Sequence, residues 1–373
     1  MQPWQATLQC VLTSIRRADH RMTNHQRAHL IALDWGTTRC RAYLLGDGGV
    51  VLSEREDHSG IMAVTALAAA AGTPVEQVFE QVFDELCGAW LAEVPGIPVI
   101  ACGMIGSNHG WAEAEYRRVP ADLSALGPEL TAVRTSAGVI VSIIPGLISE
   151  KALPDVMRGE ESQILGALIG VERSHLGNLS EERVVLLPGT HSKWVRVVGT
   201  TVTDFTTCMT GEFYGLLTRH SALSLLAVRS DLPDWAAFDR GLNVATSKAG
   251  IGGILNTAFS ARTMVMTGAL ARNHVEDYIS GLLIGHELAG IRASWLPEGS
   301  NEVLLCGNAQ LSERYRRALE CQGVRVTLAV TRSAATGMWQ VAETAGLVQE
   351  STAVHGSRHS DHRLEGNERE DAS

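Results

Sequence analysis

The sequence predicts an α/β protein built from two similar lobes. Short apolar runs typical of strands alternate with longer helical patterns, as they do where helices pack on β-sheets. The chain has 373 residues, which is too long for one compact core and suits two lobes of roughly 150 residues each. A strand followed by a Gly-Thr turn and a hairpin occurs twice, so the two lobes are predicted to share one plan.

The first copy of this pattern opens the folded part of the chain. Residues 29–34 (HLIALD) form a short apolar run that predicts a strand, and the strand ends at the turn 35–38 (WGTT). Residues 41–45 and 50–54 flank the glycine-rich segment 46–49. That arrangement predicts a β-hairpin.

Three further elements are predicted in the first lobe. A helix is predicted over 74–92, because a proline in its first turn is followed by helical spacing of apolar residues. Residues 97–102 predict a buried strand. The longest apolar run, 138–148, is interrupted by Pro145-Gly146. It therefore predicts a buried strand and is too short to cross a bilayer.

The second copy repeats the first in the later part of the chain. Residues 183–187 (RVVLL) predict a strand that ends at 188–191 (PGTH). Residues 193–198 and 201–206 then predict another pair of strands. The glycines of the two Gly-Thr turns are each followed, ten positions later, by a further glycine. This spacing supports a duplicated architecture.

The two ends of the chain differ in composition from the middle. Residues 1–28 have an excess of arginine and are expected to be disordered or a start-site extension, because Met22 lies shortly before the first strand. Residues 349–373 contain no aromatic residue and are expected to be a disordered tail. The folded lobes are accordingly predicted over 29–157 and 158–348.

Composition and charge exclude several classes of function. The formal net charge is −10, which argues against a nucleic-acid-binding surface. No membrane span and no signal peptide are predicted. The seven cysteines are scattered without a CxxC pair, which indicates reduced thiols in a cytoplasmic protein and no zinc site. The first strand lacks a following G-x-G-x-x-G pattern, which argues against an NAD-dependent dehydrogenase.

Paired Gly-Thr turns on two related lobes suit the binding of a phosphate chain. Glycine lets backbone N–H groups approach an anion, and the threonine hydroxyl adds a donor. Asp34, at the end of the first strand, could hold Mg²⁺ through water, because this ion keeps several waters. A single DWGTT segment could also be an ordinary turn, and the second copy is what favours a phosphate clamp.

Five segments together resemble known kinases. Residues 34–38 (DWGTT), followed by Arg41, resemble the first phosphate loop of the actin, hexokinase and Hsp70 ATPase superfamily. Four more segments resemble the 2-dehydro-3-deoxygalactonokinase family, and they are 103–111 (GMIGSNHGW), 156–161 (VMRGEE), 187–194 (LPGTHSKW) and 209–212 (MTGE). The resemblance extends over about residues 29–347.

The resemblance implies both a fold and a reaction. The expected fold is a two-lobed actin-like ATPase (ribonuclease H-like) fold with duplicated β-sheet domains. The expected reaction transfers a phosphoryl group from ATP, with Mg²⁺, to the terminal 6-hydroxyl of 2-dehydro-3-deoxy-D-galactonate, in galactonate breakdown. The first lobe would bind the sugar acid, and the second lobe would bind the adenosine.

Candidate residues for the sugar acid lie around the predicted lobe boundary. Related sugar kinases place a Gly-Asp where this chain has Gly159-Glu160, so Glu160 is the candidate base and Glu161 the second candidate. Glu160 could instead bind Mg²⁺. Both acids could also simply favour a helix N-terminus. Arg158 is expected to bind the carboxylate through its guanidinium, or else to form a structural ion pair. Ser107 and Asn108 are candidates for the sugar hydroxyls, or else part of a plain turn.

Candidate residues for the nucleotide come from both copies of the repeat and from a later turn. They are Gly36, Thr37 and Thr38 in the first loop, Gly189, Thr190 and Lys193 in the second, and Gly307 and Asn308 between a predicted strand (303–306) and helix (311–320). Lys193 could alternatively point to solvent.

Two other functions remain open at this point. A kinase for another small sugar acid, such as 2-dehydro-3-deoxygluconate, would use the same chemistry, because epimers differ only in the direction of one hydroxyl. A non-catalytic sugar sensor would need a DNA-binding module, for which residues 1–28 are too short. The sequence gives no oligomeric state, and a homodimer stays open.

Overall fold

The computed structural model describes residues 27–174, 182–296, 302–329 and 332–349. The predicted extension over 1–28 lies almost wholly outside the described residues, and so does the predicted tail over 349–373. In the described part of the chain, no helix is both long enough and apolar enough to cross a membrane.

The first 157 residues contribute ten strands and two helices. In chain order these are β1 (Leu30–Trp35), β2 (Cys40–Leu45), β3 (Val51–Asp57), α1 (Ile61–Ala71), α2 (Val75–Glu93), β4 (Val99–Gly103), β5 (Tyr116–Arg118), β6 (Ala121–Asp122), β7 (Thr131–Arg134), β8 (Ile140–Ile143), β9 (Gly146–Ser149) and β10 (Asp155–Met157).

The remaining described residues contribute eight helices and five strands. They are α3 (Glu160–Arg173), β11 (Glu182–Leu187), β12 (Ser192–Val198), β13 (Thr201–Cys208), α4 (Thr210–His220), α5 (Trp235–Thr246), α6 (Gly253–Thr257), α7 (Ser260–Met266), α8 (Val275–Trp295), β14 (Glu302–Leu305), α9 (Ala309–Glu320), β15 (Arg325–Leu328) and α10 (Ser333–Thr344).

Two six-stranded sheets carry the duplication that the sequence predicts. Their strand orders are β3-β2-β1-β4-β8-β7 and β15-β14-β11-β12-β13-β6, and a third sheet has the order β10-β9-β5. In each large sheet an antiparallel meander, β1 to β3 or β11 to β13, lies beside two parallel strands, β4 and β8 or β14 and β15. The predicted two-lobed α/β fold with duplicated sheets is confirmed.

Helices α3 and α10 fill the space between the two large sheets. Buried side chains from β1, β4, β11, β14 and both helices form one apolar cluster. The helices approach closely because small residues face each other: a Cβ on Gly166 would lie 1.9 Å from the Ser333 carbonyl oxygen, and a Cβ on Gly337 would lie 1.9 Å from that of Ser162. The sheets are therefore joined through a tightly packed helix pair.

The chain crosses between the lobes on both sides of the predicted boundary. Strand β6 comes before residue 158, yet it pairs with β13 at the edge of the second sheet. Helix α10 comes late in the chain, yet it packs on α3 and on β1. The division at 157/158 stays a prediction.

Run 138–148 forms two strands rather than one. Strands β8 and β9 are separated by the residues 144–145 and belong to different sheets. The prediction of a buried strand in this run is confirmed by β8. The strand does not extend over the whole run, because the break at Pro145 redirects the chain; proline cannot donate to a strand ladder.

We expect Gly337→Ala to lower the free energy of unfolding by about 1–3 kcal/mol or more, because the new methyl group would overlap a carbonyl oxygen of α3. Gly290→Ala in α8 is the matched control, since no atom lies within 4 Å of a Cβ there. That change should raise the unfolding free energy by about 0.5–1 kcal/mol. Guanidinium unfolding of both variants measures the difference, and equal stabilities would contradict the packing described here.

Candidate active site

Two glycines bring the first lobe and helix α3 into contact. Gly103 ends β4 with a φ of +94°, and a Cβ there would lie 2.7 Å from the Trp35 carbonyl oxygen. Gly159 precedes α3 with a φ of +107°, and its Cβ would lie 2.9 Å from Cα of Gly103. Both positions need a residue without a side chain. The start of α3 therefore lies against the ends of β1 and β4.

This contact gathers three carboxyl groups. Burial raises the pKa of Asp34 to about 6, against the charge of Arg41 and with a contribution from Glu160. Burial also raises the pKa of Glu161 to about 8, and the charge of Glu160 contributes. Glu161 has no exposed surface. Burial is the main cause of both shifts, and the charge of Glu160 adds to each of them.

The charges of two basic residues act on the Glu160 carboxyl group. Burial raises its pKa, and the charges of Lys193 and His191 oppose that rise. Its Oε2 accepts the Arg158 backbone N–H at 2.9 Å, while Oε2 of Glu161 accepts the Gly159 N–H at 2.6 Å. Both glutamates thus bind amides that precede the helix, as acids at a helix N-terminus do. A catalytic role for Glu160 has to coexist with this contact.

The first Gly-Thr turn is supported by the N-terminus of α1. The Ile61 N–H donates to the Gly36 carbonyl oxygen at 3.1 Å. A Cβ on Gly60 would lie 2.4 Å from the carbonyl carbon of Thr38, so only glycine permits this approach. Thr37 and Thr38 are exposed, which leaves their hydroxyls available to a ligand.

The second Gly-Thr turn has the same kind of support from α4. The Glu212 N–H donates to the Thr190 carbonyl oxygen at 2.9 Å, and a Cβ on Gly211 would lie 2.3 Å from the Gly189 carbonyl oxygen. His191, the next residue of the turn, lies 2.5 Å from Glu212 between Nε2 and Oε2. Each turn is thus followed by a hairpin and then by a helix that packs on it through a glycine.

A cavity of about 690 Å³ extends from the second turn into the second lobe. Its lining includes Gly189, Thr190, Tyr214, Asn308 and Arg314. Its size is within the range of ligand pockets. The cavity therefore provides a continuous space beside the second Gly-Thr turn.

Gly307 and Asn308 connect β14 to α9 at the edge of this cavity. Asn308 caps the helix, because its Oδ1 accepts the Gln310 N–H at 2.9 Å. A Cβ on Gly307 would lie 3.3 Å from Cδ of Pro188. Residues 307–308 thus pack directly behind the second Gly-Thr turn. The Asn308 side chain already forms a hydrogen bond with the start of α9.

Lys193 lies inside the protein rather than at its surface. Its exposed fraction is 5%, and Nζ donates to the Thr207 hydroxyl at 2.8 Å and to the Val156 carbonyl oxygen at 3.2 Å. The alternative that Lys193 points to solvent is wrong. Residues of strands β10 and β13 contact its Nζ. The sequence pattern alone did not indicate this burial.

Arg158 is buried without an acidic partner. Its exposed fraction is 7%, and Nη2 donates to the Ala114 carbonyl oxygen at 2.6 Å. Its Nε and Nη1 are buried without a hydrogen-bond partner among the described residues. No described acid lies within ion-pair distance of the guanidinium, so the structural ion pair that was the alternative is not found.

The two loop candidates differ in what their side chains do. The Ser107 hydroxyl donates to the Met104 carbonyl oxygen at 2.8 Å, and Ser107 is buried. That contact is typical of a structural turn and leaves only acceptor capacity for a ligand. Asn108 is exposed, and its amide is available.

A buried carboxyl group that the sequence did not indicate lies behind the second Gly-Thr turn. Glu287 on α8 accepts a hydrogen bond from Trp194 Nε1 at 2.7 Å and from the Tyr315 hydroxyl at 2.6 Å, and it also accepts from Thr210. It ties β12, α9 and the start of α4 together. A lone acid within the apolar stretch 281–291 was the signal that could have identified it.

The chain is similar to proteins of one kinase family. A profile of the family described as 2-keto-3-deoxy-galactonokinase matches residues 34–341. A relative named "Probable 2-dehydro-3-deoxygalactonokinase" from Rhizobium meliloti is 37% identical over 299 residues, which is 79% of this chain and 90% of the relative. The 2-dehydro-3-deoxygalactonokinase of Escherichia coli is 35% identical over 304 residues, covering 80% and 92%.

A solved structure is similar as well. A crystal structure from Sinorhizobium meliloti, assigned as a 2-dehydro-3-deoxygalactonokinase protein, superposes with a TM-score of 0.72 at 33% identity. The match covers 84% of this chain and 98% of that one. The similarity thus extends through both lobes.

The raised pKa of Glu161 has a consequence for stability. A carboxyl group with a folded-state pKa of about 8, against an ordinary value of 4.5, stabilises the fold at low pH and loses that contribution as pH rises toward 8. We expect Glu161→Gln to remove this loss, so that its stability relative to the wild type increases by up to about 1.4 kcal/mol per pH unit between pH 5 and 8.

Guanidinium unfolding at several pH values measures this difference. Glu76→Gln is the matched control, because Glu76 also lies in the first turn of a helix but is exposed. A Glu161→Gln variant whose relative stability does not change with pH would contradict a buried neutral carboxyl group at this position.

Proposed function

The chain belongs to the 2-keto-3-deoxy-galactonokinase family, and we propose that it transfers a phosphoryl group from ATP to the 6-hydroxyl of 2-dehydro-3-deoxy-D-galactonate. It is a sugar-acid kinase with the two-lobed fold of actin-like kinases. The observation that carries the assignment of roles is that the buried Glu160 carboxyl group interacts electrostatically with Asp34, Lys193 and His191. Phosphoryl transfer depends mainly on such positioning and charge.

Glu160 is proposed as the base that receives the proton of the sugar-acid hydroxyl. A general base works best with a pKa near the operating pH, and burial raises the pKa of Glu160 toward that range. Its contact with the Arg158 backbone N–H would hold the carboxylate in place. Glu161 is proposed to bind the substrate rather than to accept the proton, since its buried carboxyl group is the more neutral of the two.

Magnesium is proposed to bind mainly through the nucleotide. This ion usually keeps several waters and binds one or two carboxylates together with phosphates. Among the described residues, no group of three or more His, Cys, Asp or Glu side chains could hold a metal. The donor set therefore fits an ion that arrives with ATP, with Asp34 holding it through water. When bound, it would neutralise charge on the phosphate chain.

The nucleotide is proposed to occupy the cavity of the second lobe. Backbone amides of the turns at Gly36 and Gly189 would bind its phosphates, with hydroxyls from Thr37, Thr38 and Thr190 as further donors. Gly307 and Asn308 would lie near the adenosine end. Lys193 would place its charge beside the transferred group, since its charge acts on the Glu160 carboxyl group.

The sugar acid is proposed to bind at the first-lobe side of Glu160. Arg158 would bind its carboxylate through the N–H groups that have no described partner. Asn108 and the acceptor side of the Ser107 hydroxyl would contact sugar hydroxyls. A kinase for 2-dehydro-3-deoxygluconate remains the alternative, because its carboxylate and terminal hydroxyl are the same.

Location and assembly stay predictions. A cytoplasmic location agrees with the cysteines, since those that lie in the described residues are free thiols. A homodimer would need an apolar surface, and Phe213, Leu255 and Phe259 on α4, α6 and the start of α7 are exposed.

The activity is tested by a coupled assay of ADP release on a panel of 2-keto-3-deoxy sugar acids. We expect turnover well above the background of ATP hydrolysis, with the galactonate epimer preferred. The absence of turnover on every member would contradict the kinase assignment. Preference for the gluconate epimer would contradict only the identity of the substrate.

The role of Glu160 is tested by substitution. We expect Glu160→Gln to lower kcat by about 10²–10⁴-fold, the usual effect of removing a general base. Asp34→Asn and Glu161→Gln, assayed in parallel, distinguish a base from a group that binds metal or substrate, because their losses should depend on Mg²⁺ or sugar-acid concentration. A Glu160→Gln variant with near-normal kcat would show that another group accepts the proton.

A further inference from the structure

The Arg158 guanidinium is held on three sides. Its Cζ lies 4.1 Å from the centre of the Tyr116 ring, which is the distance of a cation–π contact. Nη2 donates to the Ala114 carbonyl oxygen. On a third side, Gly106 leaves room for Nη1 of the guanidinium, because a Cβ at this position would lie only 2.9 Å from that nitrogen. The side chain therefore has a fixed position before any ligand binds.

The contact between Arg158 and Tyr116 depends on a missing side chain in the strand between them. Strand β9 lies between β5 and β10, and its first residue, Gly146, is paired with Tyr116. A Cβ on Gly146 would lie 2.7 Å from Cε1 of Tyr116 and 2.6 Å from the Met157 carbonyl oxygen. Glycine at this position lets the tyrosine ring close over the strand and reach the guanidinium.

Two nitrogens of the guanidinium are unsatisfied. Nε and Nη1 are buried and lack a partner among the described residues. A buried donor without a partner costs free energy, and a buried charge without a counter-charge costs more. A carboxylate supplies both a counter-charge and acceptors for guanidinium N–H groups. The residues around Arg158 thus build a receptor that lacks only its anion.

We propose that Gly106, Tyr116 and Gly146 are positioning residues that hold Arg158 as a preformed receptor for the substrate carboxylate. The inference rests on the proposed function, because it takes the sugar acid as the ligand. Every residue of this receptor lies between positions 106 and 158, and none of them lines the cavity of the second lobe. The sugar acid therefore binds without the nucleotide, and a sugar without a carboxylate binds weakly.

A rigid receptor also explains how the enzyme selects an acid. Arginine loses considerable rotamer freedom when it is ordered by a ligand. Here Tyr116 and Ala114 have already ordered it, so more of the interaction with the carboxylate contributes to affinity. Removal of the tyrosine ring would leave the charge in place and release the side chain. The loss should then appear in the binding of the sugar acid and not in that of ATP.

The test compares four variants with the wild-type enzyme. Calorimetric titration with 2-dehydro-3-deoxy-D-galactonate, without ATP, gives Kd, and steady-state assays give kcat and both KM values. We expect Tyr116→Leu and Gly106→Ala to raise Kd and the KM for the sugar acid about 2–30-fold, the range of cation–π contacts from exposed to desolvated sites, because Tyr116 is 37% exposed. The KM for ATP should not change. Tyr116→Phe, which keeps the ring, should restore binding.

Arg55→Gln is the matched control. Arg55 also lies over an aromatic ring, with its Cζ 4.2 Å from the centre of Trp90, but outside the cleft. Its loss should affect stability and leave the KM for the sugar acid unchanged.

Two results would overturn the inference while the kinase assignment stands. One is a wild-type enzyme that turns over the sugar acid while Tyr116→Leu and Gly106→Ala keep its Kd. The other is a sugar acid that binds only when nucleotide is present. A wild-type enzyme that neither binds nor phosphorylates any sugar acid would overturn the proposed function, and this inference with it.

Discussion

The contact between Gly103 and Gly159 is the constraint on which the rest of the site depends. Both glycines have left-handed backbone conformations, and neither position has space for a Cβ. Because the backbones touch, the end of β4 and the start of α3 form one surface. Asp34 approaches this surface from β1, Glu160 and Glu161 approach it from α3, and Arg158 directly precedes Gly159. A side chain at either glycine would separate these groups.

Local charges, and not the net charge, determine what the cleft can bind. The chain carries −10 overall, yet its substrates are anions. We propose that the attraction comes from backbone amides of the two Gly-Thr turns and from buried cations such as Lys193 and Arg158. The same burial raises the pKa of Asp34, Glu160 and Glu161. The pKa of about 8 keeps the Glu161 carboxyl group largely neutral near pH 7, and a neutral carboxyl group repels an anion less than an ionised one does.

The sequence was informative where local pattern decides structure. The repeated Gly-Thr turn predicted duplicated sheets, and the Gly-Glu-Glu segment predicted the start of α3. Contacts made across short strands were not predictable. Strands β5, β9 and β10 have only three or four residues each, so no periodicity revealed that Tyr116 would meet Arg158. Burial of Lys193 and the inward hydroxyl of Ser107 likewise depend on neighbours that are distant in sequence or on loop geometry.

The sugar acid is proposed to span the distance from Arg158 to Glu160. A crystal structure with ADP, Mg²⁺ and 2-dehydro-3-deoxy-D-galactonate tests it most directly. We predict the carboxylate within hydrogen-bond distance of Nε or Nη1 of Arg158, and the 6-hydroxyl about 2.6–3.2 Å from a Glu160 carboxyl oxygen. A carboxylate bound to another cation, or a terminal hydroxyl directed away from Glu160, would contradict the account.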